Sequence, residues 1–135
     1  MEQTNDTLTA LEIAKDYLRR GWQPIPIAHR SKNPNLPGWQ NLKLSESDLP
    51  NHFNGKPQNI GVLLGMTSKG LTDIDLDSIE AVKIADFFLP KTEAEFGRAS
   101  KMRSHRLYYC NDASFEKFNN PFLISSKLDF IQFED

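Results

Sequence analysis

Hydrophobic and polar positions along the chain follow two periods, one helical and one extended. Apolar residues recur at helical spacing after Thr9 and Glu12, which have the spacing of a capping box, and Gly21 is placed to end that helix. A second helix is predicted over residues 78–89, directly ahead of a proline. The segments outside these helices have the pattern of short strands, so the sequence predicts a mixed helix and strand fold.

The predicted strands differ in how much of each is apolar. Residues 22–28 contain two prolines, which cannot donate to a ladder, so they predict an edge strand or the first pair of residues in a strand. Residues 59–65 are mostly apolar and predict a buried central strand. A tight turn over residues 67–70 leads into a strand at 71–77, which predicts that these two strands pair antiparallel. A last strand is predicted over residues 127–133.

The strand at residues 71–77 alternates between an apolar and an acidic face. Asp73, Asp75 and Asp77 share one face because successive side chains of a strand point to opposite sides. Neighbouring carboxylates repel one another, so a positive group should lie between them, and Mg²⁺ or Mn²⁺ is a natural candidate. Capping of the following helix by Asp77 or Ser78 is the structural alternative.

The most basic stretch of the chain, residues 98–106, leads into a predicted strand that has His105 at or near its start. Asp129 is the one acid inside the last apolar strand. Carboxylates that bind metal ions, together with cations that bind a triphosphate, are what phosphoryl transfer requires. Each of these features also has a structural alternative. The alternatives are a solvated face for the basic stretch, a structural role for His105, and an exposed strand edge for Asp129. Lys32 lies in a polar loop, and we expect it to be solvated because a lone surface lysine usually is.

Composition narrows the class of protein. The chain has 135 residues, of which 39% are hydrophobic and 25% charged, as is usual for one soluble domain. A net charge of −2 excludes a strongly basic nucleic-acid binder as a description of the whole chain. Cys110 is the only cysteine, which excludes an internal disulfide and a cysteine zinc site. No signal peptide or membrane span is evident, so we expect a cytoplasmic protein with no membrane partner.

Short segments in a fixed order carry a resemblance to a known family. They are Gly21-Trp-Gln-Pro-Ile-Pro-Ile27, Lys32-Asn-Pro34 with Trp39, Asn59-Ile-Gly-Val-Leu-Leu-Gly65, Ile74-Asp-Leu-Asp77, Thr92 with Phe96-Gly-Arg-Ala-Ser100, Ser104-His-Arg-Leu-Tyr108, and Leu128-Asp-Phe-Ile131. In this order the chain resembles the N-terminal bifunctional DNA primase/polymerase (prim-pol) domain of the archaeo-eukaryotic primase superfamily. Such domains are common in phages, plasmids and other mobile elements.

The resemblance implies an α+β fold, with a two-layer, mainly antiparallel sheet and helices packed on it, as in the primase-polymerase catalytic core. It implies one domain over residues 1–135, with residues 1–6 flexible. The chain ends soon after the third acid, so the C-terminal part of the usual domain is expected to be missing. The family's zinc-bearing insert is absent as well.

The resemblance also implies roles for individual residues. Asp75 and Asp77 match the metal ligands of the family's Asp-x-Asp motif, and Asp129 matches the third acidic ligand. His105 matches the histidine that contacts the phosphates of the incoming nucleotide. Further nucleotide-binding candidates are Arg98, Ser100, Ser104 and Lys32. Asp73 is not part of the family's acidic pair and is expected to be only a neighbouring charge.

The leading functional hypothesis is nucleotidyl transfer of the DNA primase/polymerase type with Mg²⁺ or Mn²⁺. Its partners would be nucleoside triphosphates, a DNA template or primer, and a replicative helicase. The alternative is a catalytically incomplete module that binds nucleotide or DNA beside such a helicase. A third hypothesis is a small metal-dependent phosphohydrolase, but the residues that follow Asp77 fit that class poorly.

Overall fold

The computed structural model describes residues 8–114, 116–119 and 129–134. In these residues the fold is α+β, with three α-helices and two antiparallel sheets. The α+β, mainly antiparallel prediction is therefore confirmed, although the strands form two sheets. The chain divides into two compact units, Met1–Leu63 and Leu64–Asp135. The predicted flexibility of residues 1–6 lies outside the described residues, which contain no helix long and apolar enough to cross a membrane.

In the first unit, one helix packs on a strand pair. Helix α1, Ala10–Arg20, begins with the predicted capping box, in which the Thr9 hydroxyl accepts from the backbone N–H of Glu12. It ends at Gly21, whose φ of 82° is left-handed, as predicted. Strand β1, Gln23–Ala28, pairs antiparallel with β2, Gln58–Leu63.

The core of this unit lies between α1 and a second, shorter helix. Helix α2 spans Leu49–His52. Ala14 of α1 packs with Leu49 of α2 and with Phe53, and all three are almost completely buried. These contacts hold the helices and the strand pair together as one unit.

Strand β2 is not the buried central strand that its apolar sequence predicts. It pairs with β1 in a two-stranded sheet, and Leu63 is the one residue of β2 that is fully buried. Gly61 is part of the apolar run for a steric reason. A Cβ there would lie 2.7 Å from Ile27 and 2.9 Å from Ile25, so a larger residue would clash with β1. The β1 side chains thus lie over the bare backbone of β2. An apolar run predicts a strand, but it does not show which sheet the strand joins.

In the second unit, a five-stranded antiparallel sheet has strand β3, Leu71–Asp75, at its centre. β3 lies between β5, Lys101–Tyr109, and β7, Asp129–Glu134. The edge strands are β4, Glu95–Arg98, beside β5, and β6, Glu116–Asn119, beside β7. β7 confirms the predicted last strand. β5 begins before the predicted strand, so His105 lies in its middle.

Helix α3, Ile79–Phe88, packs on one face of this sheet. Ile74 of β3 and Leu76 form a buried cluster with Ala81 and Ala85 of the helix. The apolar face of the alternating strand is therefore buried under α3, as the alternation predicts. The opposite face of β3 carries the carboxylates.

The predicted pairing of the strands at 59–65 and 71–77 is wrong. The turn between them forms, but it leaves only a single antiparallel bridge between Gly65 and Leu71. Beyond that bridge, β3 pairs with β5. Gly70 directs this change of partner: its carbonyl accepts from the Cys110 N–H at 2.7 Å, and its φ is 80°.

Gly70→Ala should destabilise the protein more than Gly55→Ala does. Both glycines have a left-handed φ, at 80° and 82°, so both alanines carry the backbone cost of about 1–2 kcal/mol. At Gly70 the new Cβ would also lie 2.9 Å from the Cys110 carbonyl oxygen, whereas at Gly55 nothing lies within 4 Å. Urea unfolding followed by circular dichroism compares the two variants. Equal losses of unfolding free energy would contradict the assigned role of Gly70.

Candidate active site

The register between β3 and β5 builds the site. In this antiparallel pair, Asp75 lies directly opposite His105, and Ile74 lies opposite Arg106. Residues that face each other across an antiparallel pair project to the same side of the sheet. Asp75 and His105 therefore share the face that lies away from the Ile74 cluster.

His105 lies between two carboxylates of β3. Its Nδ1 is 2.7 Å from Asp73 Oδ2, and its Nε2 is 3.7 Å from Asp75 Oδ1. The alternating sequence predicts a positive group, Mg²⁺ or Mn²⁺, between the carboxylates. In the structure the neighbouring strand places an imidazole there, which is positive only when it is protonated. Asp73, expected to be only a neighbouring charge, is the direct partner of the histidine. The alternation that puts Asp73 and Asp75 on one face is the sequence signal for this contact.

Asp73 differs from Asp75 in its surroundings. Asp73 is 7% exposed, and its Oδ1 is buried with no hydrogen-bond partner among the residues that the structure describes. Burial raises the pKa of the Asp73 carboxyl above its ordinary value, and the hydrogen bond and charge of His105 oppose this rise. A buried, incompletely paired carboxylate costs folding free energy, and such groups concentrate at functional sites.

Asp77 lies beyond the end of β3, ahead of α3. The N-cap of α3 is Ser78, whose hydroxyl accepts from the Ala81 N–H at 3.0 Å. Of the two capping candidates, Ser78 is thus the cap. The Asp77 carboxylate lies 3.7 Å from the Lys101 ammonium, which also donates to the Asp77 carbonyl at 3.3 Å. Sequence reasoning gave Lys101 no separate role within the basic stretch.

The basic stretch at residues 98–106 divides between the two faces of the sheet. Arg106 is 1% exposed and donates to Asp86 of α3 at 2.8 Å, on the face opposite His105. Arg103 has a φ of 58°, which interrupts the strand alternation, and it pairs with Asp86 and Glu95. Both arginines lower the pKa values of these two carboxyl groups. They belong to an ion-pair cluster beside α3 and not to the carboxylate face.

Phe96 of β4 lies opposite His105 of β5 and completes this part of the site. The two rings stack with centroids 4.7 Å apart and planes 8° from parallel. Ser104 is buried, and its carbonyl accepts from the Leu76 N–H at 2.7 Å. Arg98 and Ser100 are exposed at the connection between β4 and β5. Their predicted nucleotide contacts, and that of Ser104, stay predictions.

Two predicted site residues lie elsewhere in the chain. Lys32 is exposed in a loop of the first unit. Asp129 opens β7, where its backbone pairs with Asn119 of β6, and β7 meets β3 at the pair of Gln132 with Asp75. The structure describes the backbone of Asp129 but not its side chain. The nucleotide role of Lys32 and the metal role of Asp129 stay predictions.

Asp73→Asn should increase the free energy of unfolding at neutral pH. Because the pKa of Asp73 is higher in the folded than in the unfolded protein, the folded state holds more protons between those two values, and stability falls as pH rises through that interval. Asparagine does not ionise, so it removes this loss of stability at higher pH. Its amide oxygen can still accept a hydrogen bond from His105. The gain should shrink as pH falls toward the unfolded pKa.

Thermal unfolding across a pH series measures this difference, with the exposed Asp112→Asn as the control variant. Destabilisation of Asp73→Asn by the same amount at every pH would contradict the assigned cost of burying the carboxylate.

The sequence also matches a family model, over residues 14–131 and thus over most of the chain. The model describes the N-terminal domain of bifunctional DNA primase/polymerases. No curated protein and no solved structure matches the chain significantly. The matched range includes Asp75 and Asp77, His105, and parts of both compact units. The chain therefore belongs to the family of bifunctional DNA primase/polymerase N-terminal domains.

Proposed function

We propose that this chain catalyses nucleotidyl transfer with Mg²⁺ or Mn²⁺, adding nucleotides to a primer or starting a primer on a DNA template. The observation that carries the proposal is the pairing of Asp75 with His105 on neighbouring strands, with Asp77 directly after the same strand. Family membership gives this pairing its context.

Asp75 and Asp77 are the proposed metal ligands. Their side chains are 20% and 31% exposed, so both carboxylates are accessible, whereas Asp73 is buried. Within the described residues no three acidic, histidine or cysteine side chains are grouped to hold a metal ion. Two accessible carboxylates nevertheless fit Mg²⁺, which keeps several waters and is often held by one or two carboxylates together with substrate phosphates. Asp129 would be the third ligand.

When bound, the ion would neutralise charge on the phosphates and help to activate the attacking hydroxyl. The chain's own part is to hold and orient the triphosphate. His105 Nε2 is the imidazole nitrogen on the side of Asp75, and Lys101 lies beside Asp77. Lys101 is placed to donate to phosphate oxygens near the carboxylates, and His105 can donate from Nε2 in its imidazolium form, which has hydrogen on both ring nitrogens. The remaining proposed contacts are Arg98, Ser100, Ser104 and Lys32.

The proposed reaction is an in-line displacement at the α-phosphate. The 3′-hydroxyl of a primer, or of a first nucleotide, forms a bond to the α-phosphorus as its proton leaves. The bond to the bridging oxygen breaks, and pyrophosphate departs. Template binding is proposed to rely on contacts to backbone phosphates and therefore to weaken as salt increases.

The double variant Asp75→Asn with Asp77→Asn should lose at least about 100-fold in metal-dependent nucleotide incorporation, because the loss of direct ligands exceeds the usual effect of outer-shell changes. Asparagine keeps the size of each side chain while removing its charge. Primer extension on a DNA template, with Mn²⁺ or Mg²⁺, measures the change. Asp16→Asn is the matched control, since Asp16 is an exposed acid of α1 that pairs with Arg20.

Wild-type incorporation by the double variant, with its circular dichroism unchanged, would overturn the proposed metal ligands. A wild-type chain that binds metal and triphosphate but incorporates nothing would instead support the alternative function. In that case the chain is a nucleotide- or DNA-binding module that acts beside a replicative helicase.

A further inference from the structure

Two neighbours restrain the imidazole of His105 in different directions. Asp73 Oδ2 lies 2.7 Å from Nδ1, in hydrogen-bonding distance. The Phe96 ring lies 4.7 Å away and 8° from parallel, against the face of the imidazole. A hydrogen bond to Nδ1 determines which edge of the imidazole faces Asp73. The stacked Phe96 ring determines the orientation of the imidazole plane. Together they fix both side-chain torsions of the histidine.

We propose that Asp73 and Phe96 are positioning residues that hold the His105 imidazole with Nδ1–H toward Asp73 and Nε2 toward the Asp75 side of the site. What Nε2 then binds rests on the proposed function: it is a triphosphate oxygen, to which the imidazolium form of the ring donates from Nε2. The orientation of the ring rests only on the contacts within the protein.

The hydrogen-bonding pattern of Asp73 supports a positioning role. An ionised carboxylate only accepts hydrogen bonds, so the nitrogen that faces it carries the hydrogen. The Oδ2 atom bonds to His105, whereas Oδ1 has no partner of good geometry within the described part of the chain. A buried carboxylate that served only to hold the fold would be expected to satisfy both oxygens. His105 is the side-chain partner of the Asp73 carboxylate, which also receives a weaker contribution from the backbone N–H of Arg106.

The exposure of Phe96 supports the same conclusion. The side chain belongs to the edge strand β4, and the residue is 52% exposed, so its burial adds little to the core. Its closest described aromatic neighbour is the imidazole. A half-exposed phenylalanine that is parallel to a candidate catalytic histidine restricts the ring more than it stabilises the fold.

The first test reads the ring directly, without any substrate. In the wild-type protein, the side-chain nitrogen spectrum of isotope-labelled histidine should show His105 with hydrogen on Nδ1. Asp73→Ala should shift the neutral ring toward the form with hydrogen on Nε2. Asp73→Asn should keep hydrogen on Nδ1, because the amide oxygen still accepts. An unchanged tautomer in Asp73→Ala would overturn the role of Asp73.

The second test measures nucleoside triphosphate affinity, with Mn²⁺, in a double-mutant cycle. Asp73→Ala should weaken binding by about 10–100-fold, as is typical for residues that orient a direct ligand. Phe96→Leu should weaken it by about 2- to 10-fold, the worth of an aromatic stack. In a His105→Ala background either change should alter affinity by less than about twofold, because each acts through the histidine.

The control for the cycle is the exposed Asp112→Ala, which should leave affinity unchanged in both backgrounds. Equal losses of affinity for Asp73→Ala with and without His105 would overturn positioning, because the effect would then not pass through the ring. If Asp73→Ala does not fold, Asp73→Leu replaces it in both tests.

The two tests separate this inference from the proposed function. If the wild-type protein binds no triphosphate, the proposed function fails, and the tautomer experiment alone decides the coupling of Asp73 to His105. If triphosphate binds but the tautomer is independent of Asp73, the proposed function stands and the positioning inference fails.

Discussion

The pairing register of β3 with β5 is the constraint on which the rest of the site depends. It sets Asp75 opposite His105 and Ile74 opposite Arg106, so one face of the sheet carries the carboxylates and the other packs against α3. A slip of one residue would exchange the faces of every side chain in one strand. His105 would then point toward the helix, and the buried guanidinium of Arg106 would point toward the carboxylates. The backbone pairing of Gly70 with Cys110 begins this register at the entry to β3.

Charged side chains are paired differently on the two faces of the five-stranded sheet. Beside α3, arginines and carboxylates neutralise one another in a cluster in which Arg103 joins Asp86 to Glu95. On the opposite face, Asp75 and Asp77 stay partly exposed, and their described partners, His105 and Lys101, lie 3.7 Å away. In the first arrangement the opposite charges pair with one another at 2.7–2.8 Å. The second leaves carboxylate oxygens accessible, as the proposed site for a divalent cation and phosphates requires.

The sequence predicts best where one local pattern determines the outcome. The Thr9 capping box, the Gly21 helix end and the alternating faces of the acidic strand each follow from neighbouring residues. The structure has the first two, and it has the alternation over Leu71–Asp75, where β3 ends before Asp77. Sheet membership depends on distant partners, and the sequence therefore failed to show that β2 joins a separate two-stranded sheet. It likewise did not show that the basic stretch divides between faces, because a left-handed φ at Arg103 interrupts the alternation.

Calorimetric titration of the wild-type chain with a nucleoside triphosphate, in the presence and absence of Mn²⁺, tests the central claim most directly. The claim is that the carboxylate face of β3, with His105 opposite it, is a metal-dependent nucleotide site. We expect saturable binding with Mn²⁺ and much weaker binding when a chelator removes the metal. Equal affinity in both conditions, or no binding in either, would contradict it.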